Sequence, residues 1–100
     1  MAQITSTPWG KPDSVQDIGG GIMRVDTPSH GGYFVPAALN KMVPAAWRAV
    51  SFNGQGRQGW YEEDCDWALV ALTFPARFPA HAAEHARRMF AAIHAPKIAA

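Results

Sequence analysis

The run Ile22-Met23-Arg24-Val25-Asp26-Thr27 alternates apolar and polar side chains and is bounded by glycine-rich breaks. Period two is the pattern of a half-buried strand, because successive side chains point to opposite faces. "GGG" at 19–21 forces a turn before it, and "TPSHGG" at 27–32 is dense in turn residues after it. Tyr33-Phe34-Val35 makes a second short strand, and 15–18, apolar at both ends, offers a third. The first third of the chain is therefore expected to form a small antiparallel sheet.

The second half changes character. Pro36 and Pro44 open the segments 36–42 and 44–50, and proline is well tolerated at a first helical position, so both read as short helical turns. "SFNGQGRQG" at 51–59 is a polar, Gly-rich loop. The pattern over 61–74 fits a helix stopped by Pro75, and the Ala-rich segment 79–94 fits another. At about 100° per residue, Tyr61, Cys65, Ala68, Leu69 and Leu72 share one stripe, with Trp67, Val70, Ala71 and Phe74 roughly opposite. A helix apolar on most of its circumference belongs at the centre of the fold, with Trp60 and Trp67 largely in the core. The expected fold class is α+β: a sheet of two or three antiparallel strands packed against two main α-helices plus short helical turns.

At 100 residues and 48% apolar content the chain suits a single domain over 1–100, with 1–8 and 96–100 flexible. A formal net charge of +1 is too balanced for a dedicated nucleic-acid binder, so no direct nucleic-acid contact is expected. One cysteine excludes an internal disulfide and a cysteine-based zinc site. No apolar run approaches the roughly 20 residues needed to cross a bilayer. The N-terminus lacks the basic and apolar regions of a signal peptide. The expected setting is cytoplasmic, away from membranes.

"WYEEDCDW" at 60–67 concentrates half of the chain's 8 acidic residues, together with its only cysteine. Carboxylates in the first turn of a helix complement its dipole, each worth about 0.3–1 kcal/mol. That structural reading comes first, yet four acids exceed what a helix start requires and repel one another. A surface that keeps them is suited to a cationic partner. Glu62, Glu63, Asp64 and Asp66 are thus candidate partner-binding residues, with Arg57 and Phe52 of the neighbouring loop as secondary anchors. General acid and base work by paired carboxylates ranks lower, and a metal site from Glu62, Asp66 and a distant His lower still. Cys65, on the apolar stripe, reads as a small hydrophobe rather than a nucleophile.

Two histidine motifs need weighing. "HAAEH" at 81–85 matches the inverted zinc-peptidase pattern H-x-x-E-H. The core face of that helix is Ala82, Ala86, Met89, Phe90 and Ile93, which leaves His81 and His85 on a solvated polar flank. Glu84 finds its partners in Arg87 and Arg88. Ser29 and His30 are adjacent, and adjacent residues rarely set a hydroxyl against its own neighbour's imidazole. Gly31 and Gly32 could converge their amides on an anion. The favoured reading is a turn in which Ser29 or His30 bonds the backbone and the glycines take positive φ. Ser29, His30, Gly31 and Gly32 remain a candidate ligand turn. No catalytic residue, bound metal or cofactor is expected.

Trp9-Gly10, "TPSHGG" and "GWYEEDCDWALVALTFP" together resemble an uncharacterised domain family found in proteins of proteobacterial plasmids, conjugative elements and phages. The resemblance runs from Trp9 to about Phe78, and "WYEEDCDW" is its most specific part. It implies a mobile genetic element in a bacterial cell. Small stand-alone proteins of such elements often inhibit host defence, anti-CRISPR proteins among them. The expectation is a non-enzymatic inhibitor that binds a host-defence protein, a Cas effector subunit first of all. Its carboxylates would pair with the Arg and Lys rows that hold guide and target nucleic acid. The alternatives are a small metal- or acid/base-dependent enzyme using Asp66 or Glu62 with His30, and an accessory module of plasmid-encoded proteins.

Overall fold

The computed structural model describes residues 4–52 and 57–99. Four strands pair in chain order: β1 (Ser14–Gly19), β2 (Ile22–Asp26), β3 (Gly31–Phe34) and β4 (Trp60–Glu62), each antiparallel to the next. Between β1 and β2 the chain reverses through Gly20 and Gly21, whose φ angles of 66° and 90° need residues without a Cβ. The alternation in β2 is used on both faces of the sheet. Ile22 packs into the main core with Val35, Val43, Tyr61, Leu69 and Val70. Val25 is also fully buried but faces the other way, beside its register partner Gly32.

The fold is α+β as expected, with one strand more than the sequence reading allowed. The extra strand is β4, taken from the head of the segment read as a helix over 61–74. Tyr61 pairs with Tyr33, is completely buried and donates its hydroxyl to Asn40 Oδ1. The helix α3 (Trp67–Thr73) begins only after the acidic turn and carries no acid in its first turn. The dipole explanation therefore fails for Glu62, Glu63 and Asp64, while Asp66 stands at the N-cap of α3 without a side-chain cap bond. A helical stripe through Tyr61 and Leu69 was persuasive because strand and helix deliver these two side chains to the same core. α3 is central as expected, with Ala68, Leu69, Val70 and Ala71 all buried. Trp60 and Trp67 are half-buried, and Trp67 packs against the Ala68, Ala71 and Ala86 cluster.

The two proline-led turns form as read: α1 (Ala37–Asn40) behind Pro36 and α2 (Ala45–Val50) behind Pro44. The C-terminal helix α4 (Ala82–Met89) sets Ala82 and Ala86 inward, and Ala86 packs with Ala68 and Ala71 of α3. Small residues on both sides let the two helices approach closely. α4 runs into a π-helical turn, Phe90–His94, and then α5 (Ala95–Ala99). His94 is fully buried, with its Nε2 3.0 Å from the carbonyl oxygen of Cys65. Of the ends read as flexible, Thr7 is bridged to Gly10 and Ala95–Ala99 is helical, while residues 1–3 and 100 lie outside the described residues. Among the described residues no helix is long and apolar enough to cross a membrane.

Gly32 is fixed by space. A Cβ there would lie 2.3 Å from Cη2 of Trp9 and 2.4 Å from the backbone oxygen of Tyr61. Gly32→Ala should destabilise the chain by about 1–3 kcal/mol, the usual range for overpacking. Denaturant unfolding followed by tryptophan fluorescence would measure this. A native-state emission change is also expected, because Trp9 must leave its seat.

Candidate functional site

Three segments distant in sequence meet where β3 begins and β4 ends. Trp9 lies over Gly32, edge-on to Trp60 with ring centroids 5.7 Å apart. It stacks on Phe52 at 5.4 Å and meets the His30 ring at 6.5 Å. The guanidinium of Arg57 sits 5.8 Å above the Phe52 ring, within cation–π range. An open groove of about 420 Å³ runs between Ser6, Thr7 and Pro8 on one side and Arg57, Gln58 and Trp60 on the other. Residues 53–56 of the loop read as Gly-rich lie outside the described residues.

The turn that presents His30 is built differently from the sequence expectation. Thr27, rather than Ser29 or His30, supplies the side-chain bonds. Its hydroxyl donates to the His30 carbonyl oxygen at 2.6 Å and accepts from the His30 amide at 3.1 Å. Gly31 and Gly32 do not take positive φ; they are strand residues of β3, so their amides belong to the ladder and form no anion nest. They are small because their faces are occupied. A Cβ on Gly31 would lie 3.0 Å from Glu63 Oε2, and Gly32 carries Trp9. Ser29 and His30 are both left exposed at the tip.

The four carboxylates have separate fates. Extended backbone alternates sides, so Glu63 turns to one face of the sheet and Glu62 to the other. Glu63 Oε2 accepts from Arg24 at 2.5 Å, and the same guanidinium nitrogen reaches Asp26 at 2.8 Å. The bond from Arg24 holds the Asp26 carboxyl below its ordinary value. Asp66 is buried, 4% exposed, and its Oδ2 accepts the Phe52 amide at 2.7 Å. Burial pushes the Asp66 carboxyl up, against the opposing pull of that bond and of nearby His94. Asp66 pins the loop to the head of α3, so it is removed from the set of partner-binding carboxylates. Glu63 is committed to Arg24.

Glu62 and Asp64 form no ion pair among the described residues. Instead they converge on His30: one ligand atom from each of the three lies within 4.8 Å of the others, with His30 and Asp64 exposed and Glu62 half-buried. Reading the residues alone joined Glu62 or Asp66 to His30. The structure keeps Glu62 and brings in Asp64 in place of Asp66. The only local signal for this was spacing: Glu62 and Asp64, two residues apart, share a side in an extended chain but stand about 200° apart on a helix. The seat of Trp9 on Gly32 was missed altogether.

Cys65 is half-buried, and burial, then the charges of Asp66 and Glu62, raise its thiol. It is a protonated thiol at neutral pH and a poor nucleophile. His81, at the N-cap of α4, and His85 within it are exposed as expected, with His85 edge-on to Trp67 at 5.1 Å. Among the described residues they join no cluster of three metal-ligating side chains.

A family model described as a domain of unknown function, DUF7007, matches residues 2–98. The chain belongs to that family. No curated protein and no solved structure matches it. In this DUF7007 domain the three segments that carried the family resemblance, at Trp9, 27–32 and 60–67, are the three that meet at this site.

The Arg24 cluster yields a pH prediction. Asp26 is depressed in the folded state, so its contribution is present above the ordinary carboxylate value of 3.8 and is lost as pH falls through the depressed one. Arg24→Gln should therefore cost most near neutral pH, and the difference from the parent should shrink below about pH 4. Urea unfolding of both proteins from pH 3 to 7 would show it; a pH-independent difference would contradict the assignment.

Proposed function

We propose that this DUF7007 chain is a non-enzymatic binding protein of a mobile genetic element that blocks a bacterial host-defence component, with a CRISPR effector subunit as the partner class. The observation that carries the binding reading is the division of the acidic turn. Two carboxylates, Glu63 and Asp66, are engaged inside the fold, while Glu62 and Asp64 stay accessible beside an aromatic and arginine surface of Trp9, Trp60 and Arg57. Aromatic and Arg side chains are the usual anchors of interfaces, and carboxylates at such a surface suit guanidinium groups of a partner. Effector proteins carry such groups in rows along their nucleic-acid channels. The choice of host defence as the setting rests on the resemblance to plasmid and phage proteins, and on analogy with small inhibitors from such elements.

The original partner set contracts to Glu62, Asp64 and Arg57. Phe52 supports Arg57 from below, and Asp66 and Glu63 act by holding the turn. The acid/base alternative is weakened where it used Asp66, which lies against Phe52 and His94 rather than His30.

The test is a plaquing assay in bacteria whose CRISPR system targets one phage, with an untargeted phage as control. Expression of the chain should restore plaques of the targeted phage alone. Glu62→Gln with Asp64→Asn should lose at least tenfold of that recovery at equal protein level. No recovery across several CRISPR types would overturn the host-defence reading. Full recovery by the double variant would overturn the role of the carboxylates.

A further inference from the structure

His30, Glu62 and Asp64 offer one imidazole nitrogen and two carboxylate oxygens, drawn from the β2–β3 turn and from the chain leaving β4. Ligand atoms bound about 2.0–2.2 Å from one metal ion lie roughly 3–4 Å apart. The three side chains, within 4.8 Å of one another, need only small rotamer adjustments to reach that spacing. We infer that His30, Glu62 and Asp64 form a binding site for a divalent transition-metal ion, with its remaining positions open to water or to a donor from a partner.

Three observations support this. The donor set is mixed, and imidazole with carboxylate suits Zn²⁺, Mn²⁺, Co²⁺ and Ni²⁺ rather than the all-oxygen preference of Ca²⁺ or Mg²⁺. Glu62 and Asp64 have no ion pair among the described residues, so two like charges are held together without a cation, an arrangement a divalent ion relieves. The ligand positions are also supported from behind. Thr27 fixes the backbone of His30 at both its amide and its carbonyl. The Glu63 amide donates to the Gly31 carbonyl at 3.1 Å, and Glu63 reaches Arg24, so the chain between Glu62 and Asp64 is tied to the strand that follows His30. The ring of Trp9 meets the imidazole edge-on, with centroids 6.5 Å apart.

The inference goes beyond the docking reading and shares with it only Glu62 and Asp64. It is tested on the isolated chain with no partner present, so ion binding and plaque recovery succeed or fail separately.

The experiment is titration of the full chain with Co²⁺, read by visible absorption, and with Zn²⁺, read by calorimetry. One ion per chain is expected. Loss of even an outer-shell partner costs about 10–100-fold in metal affinity, so His30→Ala, Glu62→Gln and Asp64→Asn should each weaken binding at least tenfold. These side chains are not buried, and circular dichroism should show each variant folded. His81→Ala with His85→Ala should leave binding unchanged. Absence of a cobalt spectrum and of zinc heat would overturn the inference. So would parent-like affinity in the triple His30, Glu62 and Asp64 variant, or loss of binding in the His81 and His85 variant.

Discussion

Everything at the candidate site depends on how the chain leaves β4. It emerges from a strand whose central residue, Tyr61, is locked into the core, and must then turn to start α3 within four residues. Two carboxylates of opposite circumstance hold that turn. Glu63 is half-exposed and shares Arg24 with Asp26, and pairs of this exposure are worth about 0.2–1 kcal/mol. Asp66 is buried and bonded to the Phe52 amide, and a buried group that loses its partner costs about 1–3 kcal/mol. Glu62, at the end of β4 just before the first anchor, and Asp64, between the two, are positioned by the backbone. The like-charge repulsion that a helix would have had to tolerate is thus reduced, because neighbouring acids are sent to different sides.

The same geometry explains the glycines and the early tryptophan. Gly31 and Gly32 lie on opposite faces of β3, one beneath Glu63 and the other beneath Trp9. Removing both side chains lets an ion-pair cluster pack on one face and an indole on the other. Trp9 then joins Phe52, Trp60 and His30 in one aromatic group. A short N-terminal segment thereby covers the sheet face opposite the one that carries Tyr61, and the half-exposed rings end beside the accessible carboxylates.

Much of the fold was legible in the sequence. The alternation of β2, the triple glycine and the two prolines before α1 and α2 each act locally, and each produced the element it signalled. The apolar run of α3 placed that helix at the centre. β4 was not legible, because three residues are too few to display a period, and Tyr61 satisfies a helical stripe as well as a strand. The site failed to show for the same reason. Once 60–62 is extended, Glu62 and Glu63 point to opposite sides, whereas a helix would leave Glu62, Glu63 and Asp66 on one arc with Asp64 apart from them. The Gly-Gly pair looked like a demand for positive φ and was a demand for room, a distinction that only the position of Trp9 reveals. The burial of His94 at a π-helical turn had no sequence signal, since it depends on the backbone widening after Met89.

The unequal roles of the four carboxylates are the claim on which the rest stands, and thermal unfolding of four single alanine variants at neutral pH tests it most directly. Glu63→Ala and Asp66→Ala should both lower the melting temperature, Asp66→Ala by the larger amount. Glu62→Ala and Asp64→Ala should leave it unchanged or raise it, because each relieves repulsion and removes no ion pair made among the described residues. A drop for Glu62→Ala or Asp64→Ala matching that for Asp66→Ala would mean that all four acids serve the fold, and that the turn offers nothing to a partner or an ion.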